Sequence, residues 1–219
     1  MSNKKIYDFL RDLTANNSKE WMDENRKRYH EAKDIWLEQI AQILKRLEKY
    51  DERMASIKPK DTIMRINNNR RFQPNLPVYK DNFGFSPVGM SEPSFYIHIS
   101  PSGSFIGGGL YRPDKETLKK IREAIDYDGE KLLEITQQSS FTSYYGGIGE
   151  DQEMLKTSPR GYSEDNKNIE LLRRKSFTAI RNITPKEVAS KDFLDLVEEG
   201  YKELIPFNAY LKQAVEFTT

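Results

Sequence analysis

FYIHISPSGSFIGGGLY, residues 95–111, is the stretch whose reading decides the fold. Phe95, Ile97 and Ile99 alternate with Tyr96, His98 and Ser100, the period-2 pattern of a strand with two distinct faces. Pro101-Ser102-Gly103 has the composition of a three-residue hairpin loop, with glycine in the left-handed position. That loop sets Ile99 opposite Phe105, His98 opposite Ile106 and Tyr96 opposite Gly108. One face then carries Phe95, Ile97, Ile99, Phe105, Gly107 and Gly109. The other carries Tyr96, His98, Ile106, Gly108 and Leu110, with Tyr96 and His98 as the floor of a pocket. Three consecutive glycines weaken a strand, so another backbone, a helix or a ligand is expected close by.

Outside the hairpin the periodicity is helical. Ile6, Phe9, Leu10 and Leu13 predict a short helix near 4–13. Asn17 followed by Glu20 reads as a capping box, opening a long amphipathic helix from about Ser18 to Tyr50. Thr62 to Ile66 reads as a strand, and Tyr79 to Ser86 alternates as a second one. Asp114 is the expected N-cap of a helix carrying Leu118, Ile121 and Ile125, with another at 131–137. Residues 139–157 read as a turn-rich connection, 166–172 as a short helix and 175–181 as a strand. Phe193, Leu194, Val197, Tyr201 and Leu204 mark a C-terminal helix that Pro206 should end or kink. Helices at both ends and strands between them predict a single α+β domain over 1–219. Its central antiparallel sheet contains the 95–111 hairpin and is packed by the long terminal helices.

At 219 residues the chain can bury a sizeable core. Thirty-five Lys+Arg against 34 Asp+Glu leave a net charge of +1, which is no global footprint for nucleic acid or membrane. A local basic patch remains open. No apolar run approaches a membrane span, and MSNKKIYDFLRDL lacks a signal-peptide core, so the cytoplasm is the expected compartment. With no cysteine, thiol nucleophiles and thiolate metal sites are excluded.

NNSKEWMDENRKRY at 16–29, MRINNNRRFQPNLPVYK at 64–80, the hairpin at 95–111, PRGY at 159–162 and LLRRKSF at 171–177 occur in that order. Together they resemble the conserved hypothetical proteins catalogued as domain of unknown function 2461. The resemblance spans nearly the whole chain and implies one domain, but it supplies no reaction. Arg65, Arg71, Phe72, Tyr79 and Lys80 fit the family pattern. Asn68-Asn69 stands where members usually carry Arg-Asp, and Pro74-Asn75-Leu76-Pro77 replaces their lysine-rich segment.

Arg65, Arg71, Lys80, Arg160, Arg174 and Lys175 are the candidate ligand-binding cations, joined by Tyr96 and His98. Guanidinium forks grip phosphate or carboxylate in bidentate fashion, and lysine adds a point charge. At least three of the six are expected to meet at one concave region. The competing reading pairs each with a carboxylate at the surface. His98 is the one candidate general acid or base, against a plainer reading as a hydrogen-bonded structural side chain. No His-Glu-x-x-His spacing supports a metal, and no P-loop, dinucleotide fingerprint or serine elbow is present. The glycine run reads as a strand kept bare for close packing. No cofactor and no oligomeric state can be read from these residues. The expectation is a domain that binds, and in one version acts on, a small anionic or phosphorylated ligand. The alternative is a non-enzymatic module whose basic and aromatic loops recognise a protein or nucleic acid.

Overall fold

The computed structural model describes residues 3–88 and 92–216. Its helices are α1 (Lys4–Ala15), α2 (Lys19–Glu24), α3 (Arg26–Leu47), α4 (Lys115–Gln137), α5 (Ser139–Tyr145), α6 (Ile169–Leu172), α7 (Pro185–Ala189) and α8 (Phe193–Glu216). The strands are β1 (Phe83–Phe85), β2 (Ser94–Ile99), β3 (Ser104–Leu110) and β4 (Phe177–Ile183). They form one antiparallel sheet in the order β1-β2-β3-β4, so the chain is α+β as its periodicities imply. Among the described residues no helix is long and apolar enough to cross a membrane. The chain divides into two compact units, Met1–Pro87 with Tyr96–Ile106 and Asn182–Glu199, and Val88–Phe95 with Gly107–Arg181 and Gly200–Thr219.

In the first unit the predicted stripe Ile6, Phe9, Leu10 and Leu13 is buried along α1. Phe9 meets Trp21, Tyr29 and Phe83 at ring separations of 6.0, 5.8 and 6.4 Å. The long helix expected from Ser18 is broken at Asn25, which has φ −106° and ψ 15°. Its side-chain amide donates to the Trp21 carbonyl at 2.9 Å, the local competition that interrupts helices at asparagine. On α3, Trp36 is buried and its indole N–H donates to the Gly84 carbonyl at 3.3 Å, fastening the helix to β1.

Asn17 is not the expected cap. Ser18 caps α2, its Oγ accepting from the Trp21 amide at 3.1 Å. Asn17 instead donates to the Tyr79 carbonyl and accepts from the Tyr79 amide, both at 2.9 Å. One side chain thereby takes both main-chain groups that a neighbouring strand would use. The expected strand over Tyr79 to Ser86 shrinks to Phe83–Phe85, which pairs with Ile97–Ile99 at the end of β2. Thr62 to Ile66 is not a strand at all; it is an irregular segment tied by Ser86 N to Thr62 O at 2.9 Å and Lys80 N to Ile66 O at 2.7 Å. Only an isolated bridge joins Asn67 to Tyr79.

The hairpin is where predicted, but its second strand shows the opposite faces. The loop takes four residues, with Gly103 N donating to Ser100 O at 3.3 Å. Ser104 Oγ accepts from Ser100 N at 3.0 Å and donates to Ser100 O at 3.1 Å, so a side chain replaces the last ladder rung. One extra loop residue turns every β3 side chain over. Phe105 therefore stacks on His98, with ring centroids 4.9 Å apart and planes 10° from parallel, instead of joining Ile99. Ile106 is buried, as are Ile97 and Ile99.

In the second unit Asp114 caps α4 as expected, accepting from the Glu116 and Thr117 amides at 2.9 and 3.0 Å. The two helices predicted after it are one, kinked at Asp128 (φ −145°, ψ 53°). The stretch read as turn-rich begins with α5, which Gly146 ends in the left-handed region at φ +77°. Helix α8 runs through Pro206. Leu204, Phe207, Leu211 and Ala214 are buried on both sides of the proline, and that packing sustains the helix. The glycine run is a site of close approach. A Cβ on Gly107 would lie 2.6 Å from the Ala179 carbonyl oxygen, and one on Gly109, 2.1 Å from that of Phe177 and 2.9 Å from the Phe207 ring. Gly109 also has φ +104°, a backbone that excludes other residues.

Candidate functional site

The outward face of the first unit's sheet segment carries Gly84, Tyr96, His98 and Phe105. Gly84 pairs with His98 across β1 and β2. Tyr96 leans over Gly84 so closely that a Cβ there would lie 2.7 Å from its hydroxyl. The Tyr96 ring is 5.7 Å from Phe105, and its hydroxyl is 3.5 Å from His98 Nδ1, at the outer limit of a hydrogen bond. All three side chains are half-buried, so Tyr96 and His98 do lie together as predicted, with Phe105 beside them in place of Ile106.

Three consecutive residues, Lys80-Asp81-Asn82, link this face to its surroundings. The Asn82 side chain hydrogen-bonds to the Tyr96 phenol, while burial pushes that phenol above its ordinary range. Asp81 Oδ2 accepts from Ser100 Oγ at 3.2 Å and Ser102 Oγ at 2.8 Å, holding the hairpin loop. Burial lowers the His98 imidazole below its ordinary value, with the Asp81 charge pulling the other way. A neutral imidazole presents one donor and one acceptor. Lys80 Nζ donates to the Arg65 carbonyl at 3.0 Å. Burial, and then the Arg65 charge, push the Lys80 ammonium down. Among the described residues neither Lys80 nor Arg65 forms an ion pair with a carboxylate.

The remaining predicted cations have their own local settings. Arg71 stands on the exposed loop 69–77, its guanidinium 5.2 Å from the centre of the Phe72 ring. Arg160, Arg174 and Lys175 belong to the second unit. Arg174 is a structural clamp, donating to the Ser176 carbonyl at 3.1 Å and to the Gly149 carbonyl. Burial lowers its pKa against the opposing Asp151 charge. Asp151 itself would be raised by burial, but the Lys175, Ser176 and Glu153 amides hold it below the usual carboxylate range. The side chain of Arg160 is exposed and that of Lys175 half-buried.

Asp81, Asn82, Gly84 and Phe105 were not singled out from sequence. A signal was present for two of them: the alternation through β1 sets Asn82 and Gly84 on one side with Lys80. Phe105 depended on the length of the hairpin loop. Comparison with curated proteins and with solved structures gives no match. The model of one family, described as "Conserved hypothetical protein (DUF2461)", matches residues 5–210 and takes in both the Lys80-Asp81-Asn82 segment and the hairpin. The chain therefore belongs to this family of conserved hypothetical proteins.

Proposed function

We propose that the protein binds a small anionic ligand, of the phosphorylated-metabolite class, through Arg65 and Lys80, with Tyr96 and His98 on the sheet face that the Lys80-Asp81-Asn82 segment reaches. The observation that carries the reading is Lys80. Its ammonium is half-buried, lies within the influence of the Arg65 charge and has no ion-pair partner among the described residues. Like charges repel, and an anion that meets both cations relieves that repulsion while accepting charge-assisted hydrogen bonds. Tyr96, His98 and Asn82 then supply neutral donors and acceptors for the rest of the ligand, the usual composition of a small-molecule site. The site draws on two of the six predicted cations. Arg174 is engaged by main-chain carbonyls.

Calorimetric titration with inorganic phosphate and a panel of phosphorylated sugars, nucleotides and carboxylic acids tests the proposal. Binding by the native chain should disappear in Lys80→Met and weaken in Arg65→Gln and His98→Gln, with thermal midpoints near that of the native protein. Unchanged affinity in folded Lys80→Met, or no member of the panel binding, removes the reading.

A further inference from the structure

We infer that the loop 69–77 is a contact element for single-stranded nucleic acid, separate from the small-ligand site. The near-neutral total charge of +1 conceals a local segregation: from 58 to 80 the chain has Lys58, Lys60, Arg65, Arg70, Arg71 and Lys80 against Asp61 alone. The loop projects from the Asn67–Tyr79 bridge, flanked by Asn68 N to Val78 O at 3.0 Å and Lys80 N to Ile66 O at 2.7 Å, and Asn17 pins the base of this arm at Tyr79. Arg70 shapes the tip internally, with Nε and Nη2 both donating to the Pro74 carbonyl, at 3.1 and 2.6 Å. Asn68 closes the other side by donating to the Pro77 carbonyl at 3.0 Å, and Asn69 accepts from the Arg71 amide at 3.2 Å. The loop is thus organised before any partner arrives, which lowers the ordering cost of binding.

On this scaffold Phe72 is 81% exposed. The Arg71 guanidinium lies over the ring, 5.2 Å from its centre. Protein-binding hot spots place an aromatic inside an apolar, desolvated patch. Here the loop is rich in arginine and carboxamide side chains, with Asn67, Asn69, Gln73 and Asn75 all exposed, and Leu76 is its other exposed large apolar residue. An open aromatic face, an adjoining guanidinium, amides able to meet base edges and no carboxylate within 62–80 together match the chemistry of an unpaired strand. Bases stack on the ring while cations follow the phosphates. A duplex offers no free base face, so the unpaired form is the one this loop fits.

Fluorescence anisotropy with labelled oligo-dT and oligo-U, against a duplex of equal length, tests the inference on the full chain. The single strands should bind more tightly than the duplex. Phe72→Ala should weaken them by about tenfold or more, and Arg71→Ala should reduce the steepness of the salt dependence by about 0.7 in the log–log slope. Phe72 is too exposed for its loss to unfold the chain, and an unchanged thermal midpoint verifies this. Absence of single-strand binding, or equal affinity in Phe72→Ala, overturns the inference. So does competition by polyglutamate as effective as that by oligo-dT, which makes the loop a contact for acidic proteins. Because the small-ligand site is read by Lys80→Met and this loop by Phe72→Ala, the two proposals fail separately.

Discussion

Gly84→Ala tests whether the outward sheet face is built as described. Gly84 is buried in β1 at an ordinary φ, so alanine meets no backbone strain there. The whole penalty is the contact: the new methyl would lie 2.7 Å from the Tyr96 hydroxyl and 3.2 Å from two of its ring carbons. Overpacking of this kind costs about 1–3 kcal/mol. Replacing glycine also reduces the entropy of the unfolded chain, a gain of about 0.4–1 kcal/mol. The net expectation is destabilisation of up to about 2.5 kcal/mol, at about 2–4 °C of thermal midpoint per kcal/mol for a chain of this size. Tyr96→Phe removes the nearest atom and leaves the two ring carbons. In the Gly84→Ala background it should therefore cost less than in the native chain, with a coupling of about 0.5 kcal/mol or more. Urea unfolding of the two single variants and the double variant, followed by far-UV circular dichroism, measures all three. A Gly84→Ala protein at least as stable as the native chain, with additive costs in the double variant, would refute the placement of Tyr96 over Gly84.

Three further outcomes concern polar side chains in different degrees of burial. The folded-state pKa of His98 lies below its ordinary value of 6.5, so below that pH the unfolded chain takes up a proton that the folded chain does not. Stability should therefore be fully present above 6.5, fall as pH drops from 6.5 toward the lowered folded value, and level off beneath it. Urea midpoints of His98→Gln should show less of this loss than the native chain between about pH 7.5 and 5; superimposable profiles would place His98 in solvent. Arg174→Met leaves the Ser176 and Gly149 carbonyls without their donor and should lower unfolding stability by about 1–3 kcal/mol. Exposed Arg160→Ala should stay within about 0.5 kcal/mol of the native chain; equal effects of the two would contradict the assignment of Arg174 as a clamp.

Local periodicity carried much of the fold because each pattern has one low-energy answer. Alternation at 95–99 buries Phe95, Ile97 and Ile99 whatever lies across from them, and the stripe of α1 likewise specifies its own buried side. Asp114 capped its helix because a cap is a bond between near neighbours. The glycine run announced close approach, since a strand gains nothing from glycine unless a neighbour needs the space. What failed depended on partners far along the chain. Asn17 looked like a cap and instead holds Tyr79, 62 residues away. The 62–66 segment pairs through single bonds to Lys80 and Ser86, far along the chain, and Pro206 was carried through α8 by the packing on either side of it.

The sequence by itself determined that the chain is α+β, where its hairpin lies and which face of β2 is apolar, since these follow from side-chain period and burial energy over a few residues. Tertiary structure decided the composition of the candidate site. One extra residue in the loop at 100–103 turned Phe105 toward His98, because strand side chains alternate with a period of two. Folding also fixed the local setting of the cations, leaving Lys80 hydrogen-bonded to the Arg65 carbonyl with no ion-pair partner among the described residues, setting Arg71 on an open loop with Phe72, and committing Arg174 to main-chain carbonyls. A charge is the same letter in all three settings; its role depends on which dipoles and charges surround it in space, and local sequence spacing does not contain that information.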